Sequence, residues 1–330
     1  VHEKRSSFSN EVFLASEEND RVITGSNYHA YVKLSEGCNQ SCSFCAIPSF
    51  KGKLHSRTLE SIVKEVTNLV KKGYKDFSFV SQDSSSYLRD LGHNDGLEQL
   101  IDAVEKIDGV KTARILYLYP STTTHNLIDK IADSKVFVNY FDMPLQHISQ
   151  NMLKIMKRGK GAEKLIELMN YMKSKPNSFV RTTFIAGHPG ESEEDFEELC
   201  SFVEEFGFDR GNVFSYSDEE GTSAETRDDK IEQELIDERA EILGDIISQT
   251  TIKSLENDIG KSFEVYIDGE SEEHEYLLSA RKTIWAPQID GEIYVNDNED
   301  NIPIVFGEIY EVEATQLAGD KLLAKIIRKV

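Results

Sequence analysis

Three cysteines stand close together in the run Glu36-Gly-Cys38-Asn-Gln-Ser-Cys42-Ser-Phe-Cys45-Ala-Ile-Pro48, with three residues between the first two and two between the last two. A cubane 4Fe-4S cluster ligated by only three thiolates keeps one iron without a protein ligand, whereas most ferredoxin runs supply four cysteines. The open coordination position is where a small molecule can bind and react. The alternative is zinc, held by Cys38, Cys42 and Cys45 with a fourth ligand such as His55. Structural zinc generally uses paired knuckles, and no second cysteine pair exists in the chain. The remaining cysteine, Cys200, falls on the apolar face of a helix and reads as core.

The elements that must position these thiols alternate. Ala30–Leu34 reads as a strand running into the cysteine loop. Thr58 caps a helix whose Leu59, Ile62, Val63, Val66, Leu69 and Val70 share one face, and Gly73 ends it. Further strands are expected at Phe77–Val80, Ile115–Tyr119, Phe137–Met143, Phe179–Ala186 and Asn212–Tyr216, with helices between them. Ser192-Glu-Glu-Asp195 is a capping box opening a helix with Phe196, Leu199, Cys200 and Val203 inward. Six strand-plus-helix units in series imply an α/β fold, a partial (six-unit) parallel β/α barrel with right-handed crossovers. Active sites in such barrels lie at the C-terminal strand ends, and the unusual loops here all follow strands. A long helix is expected over about 229–257. After Gly260 the pattern changes to five short strands, at Ser262–Ile267, Glu275–Ala280, Glu292–Val295, Ile309–Ala314 and Leu322–Ile327, which suggest a small all-β barrel. The expected division is 1–27 as a linker remnant, 28–257 as the α/β domain and 258–330 as the β domain.

The chain has 330 residues with 37 basic and 59 acidic side chains, a net charge of −22. That balance argues against a large phosphate-gripping surface and is compatible with a basic protein partner, the alternative being that the acidity only confers solubility. No apolar run approaches the ~20 residues of a membrane span. Four cysteines, three of them clustered, do not make a disulfide framework, so a reducing cytoplasm is expected. The chain starts at Val1 with a polar stretch, which reads as a fragment of a longer protein without a signal peptide.

The cysteine run resembles that of the radical S-adenosylmethionine superfamily, whose three-cysteine loop follows the first barrel strand. The resemblance implies a 4Fe-4S cluster chelated by S-adenosylmethionine, and one-electron cleavage of that cofactor to a 5′-deoxyadenosyl radical. Cys38, Cys42 and Cys45 are then both metal ligands and catalytic residues. Phe44 sits where the superfamily often has an aromatic, and Ile47-Pro48 matches the stretch whose backbone meets adenine. Val80-Ser-Gln-Asp83, Tyr119-Pro-Ser-Thr122, Asp142-Met-Pro-Leu-Gln-His147, Ile185-Ala-Gly-His-Pro-Gly-Glu191 and Phe214-Ser-Tyr-Ser-Asp-Glu-Glu-Gly-Thr222 are similar to the methylthiotransferases of that superfamily. The last 70 or so residues look like their TRAM domain.

Two branches of that family differ in substrate: one modifies a tRNA adenosine, the other the β-carbon of an aspartate on the small-subunit ribosomal protein numbered twelve. Pro144-Leu-Gln-His147 and Ala280-Arg-Lys-Thr-Ile-Trp-Ala-Pro-Gln-Ile-Asp-Gly291 resemble the ribosomal-protein branch. Residues 258–330 carry 7 basic and 16 acidic residues, a net charge of −9, whereas an RNA-gripping domain should be basic. The resemblance implies as partners that basic ribosomal protein, free or on the ribosome, a reductant such as flavodoxin, and a sulfur donor, with no membrane. It also implies a second cluster on an N-terminal domain with three more cysteines. Those are missing here, so this chain is expected to cleave S-adenosylmethionine without transferring a methylthio group.

Gln82 and Asp83 follow the second strand, where the superfamily contacts the cofactor's amino group; the plain alternative is a capped turn. Gln146 and His147 follow the fourth strand, as cofactor or substrate contacts or as structural hydrogen bonds. Arg158 and Arg181 can each clasp a carboxylate bidentately. A buried strand arginine needs a partner, which favours Arg181 for that role, the alternative being a structural ion pair. Gly187 opens a tight loop near the expected adenosine site, and His188 within it reads as an exposed loop histidine. Gly221 and Thr222 are expected at the rim.

Overall fold

The computed structural model describes residues 14–18, 21–298 and 302–330. Of the expected linker, residues 1–13, 19 and 20 lie outside the described residues. Strand β1 (His29–Lys33) buries Ala30 and Val32 in the main core. Two short strands, β2 (Ser35–Glu36) and β3 (His55–Ser56), pair antiparallel and close the cysteine loop, which contains the single-turn helix α1 (Ile47–Phe50).

Helix α2 (Leu59–Lys71) starts because Thr58 Oγ1 accepts from the Ser61 amide, and it buries Ile62, Val66 and Leu69. Then come β4 (Asp76–Val80), α3 (Gly96–Val104), β5 (Thr112–Ile115), α4 (His125–Ala132) and β6 (Phe137–Asp142). They are followed by α5 (Gln150–Ile155), α6 (Ala162–Lys173), β7 (Phe179–Ala186), α7 (Glu193–Phe206), β8 (Arg210–Ser215) and α8 (Gln233–Glu256). The sheet runs β1-β4-β5-β6-β7-β8, every neighbouring pair parallel. Each strand thus lies beside the one before it in the barrel series, as right-handed crossovers require. The Ser192–Asp195 capping box forms in both directions and α7 ends at Gly207.

The third barrel strand departs from expectation. It occupies Thr112–Ile115 rather than Ile115–Tyr119. The apolar run Leu116–Tyr119 leaves the sheet: Tyr117 adopts φ +60° and its amide turns to the Asp142 carboxylate at 3.0 Å. The polar residues ahead of it are strand because Thr112 and Arg114 point into the barrel, where Asp76 receives both.

The C-terminal region is a closed five-stranded barrel of order β10-β11-β13-β12-β9, built from β9 (Ser262–Glu270), β10 (Leu278–Lys282), β11 (Ile293–Asp297), β12 (Ile309–Ala318) and β13 (Lys321–Lys329). Its core is continuous with the inside of the α/β barrel: Leu116, Tyr140 and Phe179 pack in one cluster with Trp285, Ala286 and the small barrel's own apolar residues. Asp76 is wholly buried between Arg114 (2.8 Å) and Arg281 (2.6 Å), one from each domain. No helix among the described residues is long and apolar enough to cross a membrane.

Candidate active site

A cavity of about 320 Å³ opens at the C-terminal ends of the parallel strands. Each strand delivers something to it: the cysteine loop after β1, Gln82 after β4, Tyr117 to Tyr119 after β5, Pro144 and Gln146 after β6, Arg181 and Thr183 from β7, Asn212 and Phe214 from β8. Cys38, Cys42, Phe44, Cys45 and Ile47 all line it.

The cysteine loop is fixed by its backbone. The Cys38 amide donates to Gly52 O at 3.2 Å, Cys45 to Cys42 O at 3.2 Å, and Ser43 to Met156 O at 3.1 Å, while Ser43 O accepts from the Ala224 amide. Gly37 sits at φ +78°, and a Cβ there would come within 2.2 Å of Lys53 O, so only glycine fits the turn into the loop. Burial pushes the Cys38 thiol up to about 11, and Asp83, Cys42 and Cys45 add to the rise against the Gln40 amide. Burial also raises Cys45. A metal reverses this by binding thiolates.

Among the described residues no three Cys, His, Asp or Glu side chains form the ligand set of a single ion. His55 is exposed, holds Lys53 O through Nδ1 at 2.8 Å, and does not line the cavity. His55, the fourth ligand considered for zinc, is thus not at the site. Three thiols that face one cavity without converging on a point fit a cluster several atoms across. The cavity also fits a polar chelator: Gln82 Oε1, Gln146 Oε1 and Arg158 Nε are buried there without hydrogen-bond partners.

The structure separates the remaining candidates. Gln82 donates to Glu36 Oε1 at 3.0 Å and keeps its amide oxygen free in the cavity. Asp83 does not line the cavity; its carboxylate accepts from Gln40 Nε2 (2.8 Å), Ser85 Oγ (2.8 Å) and Ser86 Oγ (2.6 Å), so it acts by holding Gln40 in the cysteine loop. Gln146 reaches the cavity from a left-handed turn, φ +72°. His147 points away from it, with Nδ1 accepting from the Ile148 and Ser149 amides and Nε2 3.5 Å from Glu191.

Arg181 lines the cavity and is also ion-paired, to Asp142 at 3.1 Å and to Asp290 of the small barrel at 3.4 Å. Burial lifts the Asp142 carboxyl to about 6 despite that arginine. Gly187 stands behind the cavity wall. Its amide is held by the Glu191 carboxylate at 3.1 Å, and a Cβ would meet Ile236 at 2.5 Å. His188 is fully buried rather than exposed, because its ring fills the space between the cysteine loop and β8: Nε2 lies 3.0 Å from Ser43 Oγ, and the ring packs edge-on to Phe44 and Tyr216. Thr222 is buried and, with Gly221, lies outside the cavity lining.

Sequence reasoning passed over Gln40, Tyr119 and Asn212 as lining residues, and gave Arg158 second place. Gln40 lies within the cysteine run and Tyr119 opens Tyr119-Pro-Ser-Thr122; Asn212 carries no signal beyond its place on the last strand of the sheet.

Sequence families agree with this geometry. Residues 32–203 match the Radical SAM superfamily and residues 259–327 the TRAM domain. The chain is 78% identical over 330 residues to the ribosomal protein uS12 methylthiotransferase RimO of Aliarcobacter butzleri, spanning 99% of this chain and 74% of that protein. It is 62% identical to the RimO of a Sulfurovum species, spanning 100% and 74%. The chain belongs to the RimO family of the Radical SAM superfamily. Membership in that superfamily implies a 4Fe-4S cluster and S-adenosylmethionine. The RimO fold also extends to distant structures: coproporphyrinogen III oxidase (HemN) from Escherichia coli, a radical SAM enzyme, aligns with a TM-score of 0.55 at 14% identity over 71% of this chain and 57% of that one.

Proposed function

We propose that this chain is a radical S-adenosylmethionine methylthiotransferase acting on an aspartate β-carbon of ribosomal protein uS12. The observation that carries the site assignment is the meeting of three cysteine thiols with three orphaned polar atoms in one cavity at the strand ends. Cys38, Cys42 and Cys45 would hold a 4Fe-4S cluster, and the free amide oxygens of Gln82 and Gln146 suit the ammonium and hydroxyl groups of S-adenosylmethionine. Bound there, the two would supply one-electron radical chemistry.

The chain's own residues orient and shield that chemistry. Arg181, held by Asp142, Asp290 and, through Nη2 at 3.0 Å, the Asn212 amide oxygen, presents a fixed positive charge to the cavity. Phe44, Ile47 and Leu118 supply apolar wall, which keeps water from a reactive centre. Tyr117 and Phe214 stay 40% and 60% exposed at the mouth, a platform for an incoming substrate segment.

Charge supports a protein substrate. The TRAM segment carries a net −9, and a second cleft of about 950 Å³, away from the cysteines, is lined by Asp268, Glu270, Glu272, Glu273 and Glu292 against Arg281 and Lys321. An acidic surface suits a lysine- and arginine-rich partner and repels tRNA. We place the protein in the cytoplasm, with a low-potential reductant and a sulfur donor as further partners. The domain division falls between the end of α8 and β9, near 258.

Cys200, outside the cysteine loop, is half-buried against the main core. The assigned site is expected to yield 5′-deoxyadenosine. Anaerobic reconstitution with iron and sulfide, followed by assay of 5′-deoxyadenosine, tests the reading. Cys42→Ala should abolish the product. Iron-free protein, or tight salt-sensitive tRNA binding with no affinity for uS12, would overturn it.

A further inference from the structure

Cys42 differs from the other two cysteines in what surrounds its sulfur. Arg158 Nη1 donates to Cys42 Sγ at 3.3 Å, and the Tyr119 hydroxyl stands 3.7 Å from the same atom. Cys38 Sγ receives a backbone donor instead, the Gln40 amide at 3.4 Å. Both the guanidinium and the backbone of Arg158 are held in place. Nη2 donates to the Pro144 carbonyl, the guanidinium carbon lies 4.4 Å from the centre of the Tyr119 ring, and the backbone amide is tied to Leu153 O at 2.9 Å. Lys157, the residue before it, takes a left-handed φ of +57°, which turns the chain so that Arg158 points back into the cavity. Arg158 is 5% exposed, so water screens its charge poorly.

We infer that Arg158, stacked on Tyr119, is a positioning residue that sets the reduction potential of the cluster through Cys42. The inference rests on the cluster assignment above. Reduction adds one electron, and so one negative charge, to a centre already bearing three thiolates. A buried cation and hydrogen bonds to a ligating sulfur stabilise the reduced form more than the oxidised one and raise the potential. The rest of this acidic chain acts in the opposite sense, which gives the Arg158 guanidinium on the Cys42 sulfur a specific use.

The test is a redox titration of anaerobically reconstituted protein, followed by the electron paramagnetic resonance of the reduced cluster. Arg158→Met is expected to make reduction about tenfold less favourable, a fall of about 59 mV for a one-electron couple. Arg158→Lys keeps the charge but loses the fork, and should fall less; Tyr119→Phe should also shift downward. An intact cluster with an unchanged midpoint in Arg158→Met overturns the inference. Should that variant assemble no cluster, unchanged midpoints in both Arg158→Lys and Tyr119→Phe overturn it instead. Absence of a cluster in the unaltered chain, or an identical cluster in Cys42→Ala, defeats the site assignment itself.

Discussion

His188 shows how a single side chain joins the cysteine loop to the rest of the barrel. Its Nδ1 lies 2.9 Å from Pro189 O, a pure acceptor, so that nitrogen carries the proton, and Nε2 accepts from the Ser43 hydroxyl. Burial, with Arg227 and His147 acting the same way against Pro189 O and Glu191, depresses the imidazole to about 4. A histidine whose folded pKa is lowered contributes stability that is complete above its ordinary 6.5 and is lost as pH falls toward 4. Asp142, raised by burial to about 6, works oppositely: its contribution is lost as pH rises through that value. The informative quantity is therefore the difference between variants. His188→Asn should flatten the fall in thermal stability between pH 6.5 and 4; a fall as steep as in the unaltered chain would show that Ser43–His188 contributes nothing there. In sequence this histidine looked like loop surface, because nothing local reports that Phe44 and Tyr216, far away in the chain, close over it.

Elements were legible where one face is apolar and the other wet. Thr58, Ser192 and the stripes behind them locate α2 and α7 because caps and helical periodicity are local. They failed on β5, whose inward face carries Thr112 and Arg114 in a polar lumen, so the apolar run beyond it imitated a strand. The loop after β7 is a similar case. Gly187-His-Pro-Gly190 could be read as a turn, yet the turn is organised by Glu191, which gathers the Gly187 amide and Arg239 of α8, with His147 Nε2 3.5 Å away. Gly187 is confined by φ +79° and by Ile236. Gly187→Ala should then lower unfolding free energy by about 1–3 kcal/mol. Adding Ile236→Ala should recover less than all of it, since the backbone penalty remains after the clash is gone. Chemical denaturation of the two single variants and the double variant checks both parts, and additivity would show that the Ile236 contact is not the cause.

At the scale of the whole molecule the TRAM barrel behaves as part of the catalytic domain. Its 281–291 segment enters the open interior of the α/β barrel, burying Trp285 near Phe179 and handing Asp290 to Arg181, a cavity residue. No sequence pattern announces this, because Asp76 and Arg281 are 205 residues apart. The clamp is ionic and dry: burial pushes the Asp76 carboxyl up, but Arg114 and Arg281 outweigh burial and hold it well below the usual carboxylate range. Its contribution is thus complete above the ordinary carboxylate pKa and disappears only on strong acidification. Removing the charge leaves two buried guanidinium groups with fewer acceptors, so Asp76→Asn should cost about 3–5 kcal/mol. Because Arg281 crosses the domain boundary, Arg281→Met should cost a comparable amount, and the double variant less than the sum. Unfolding followed separately by Trp285 fluorescence, reporting the interface, and by far-ultraviolet circular dichroism should remain one transition in the unaltered chain and divide into two in Asp76→Asn. A single unsplit transition with little loss of stability would mean that apolar packing around Trp285 alone seats the barrel, and that the buried charges are incidental to it.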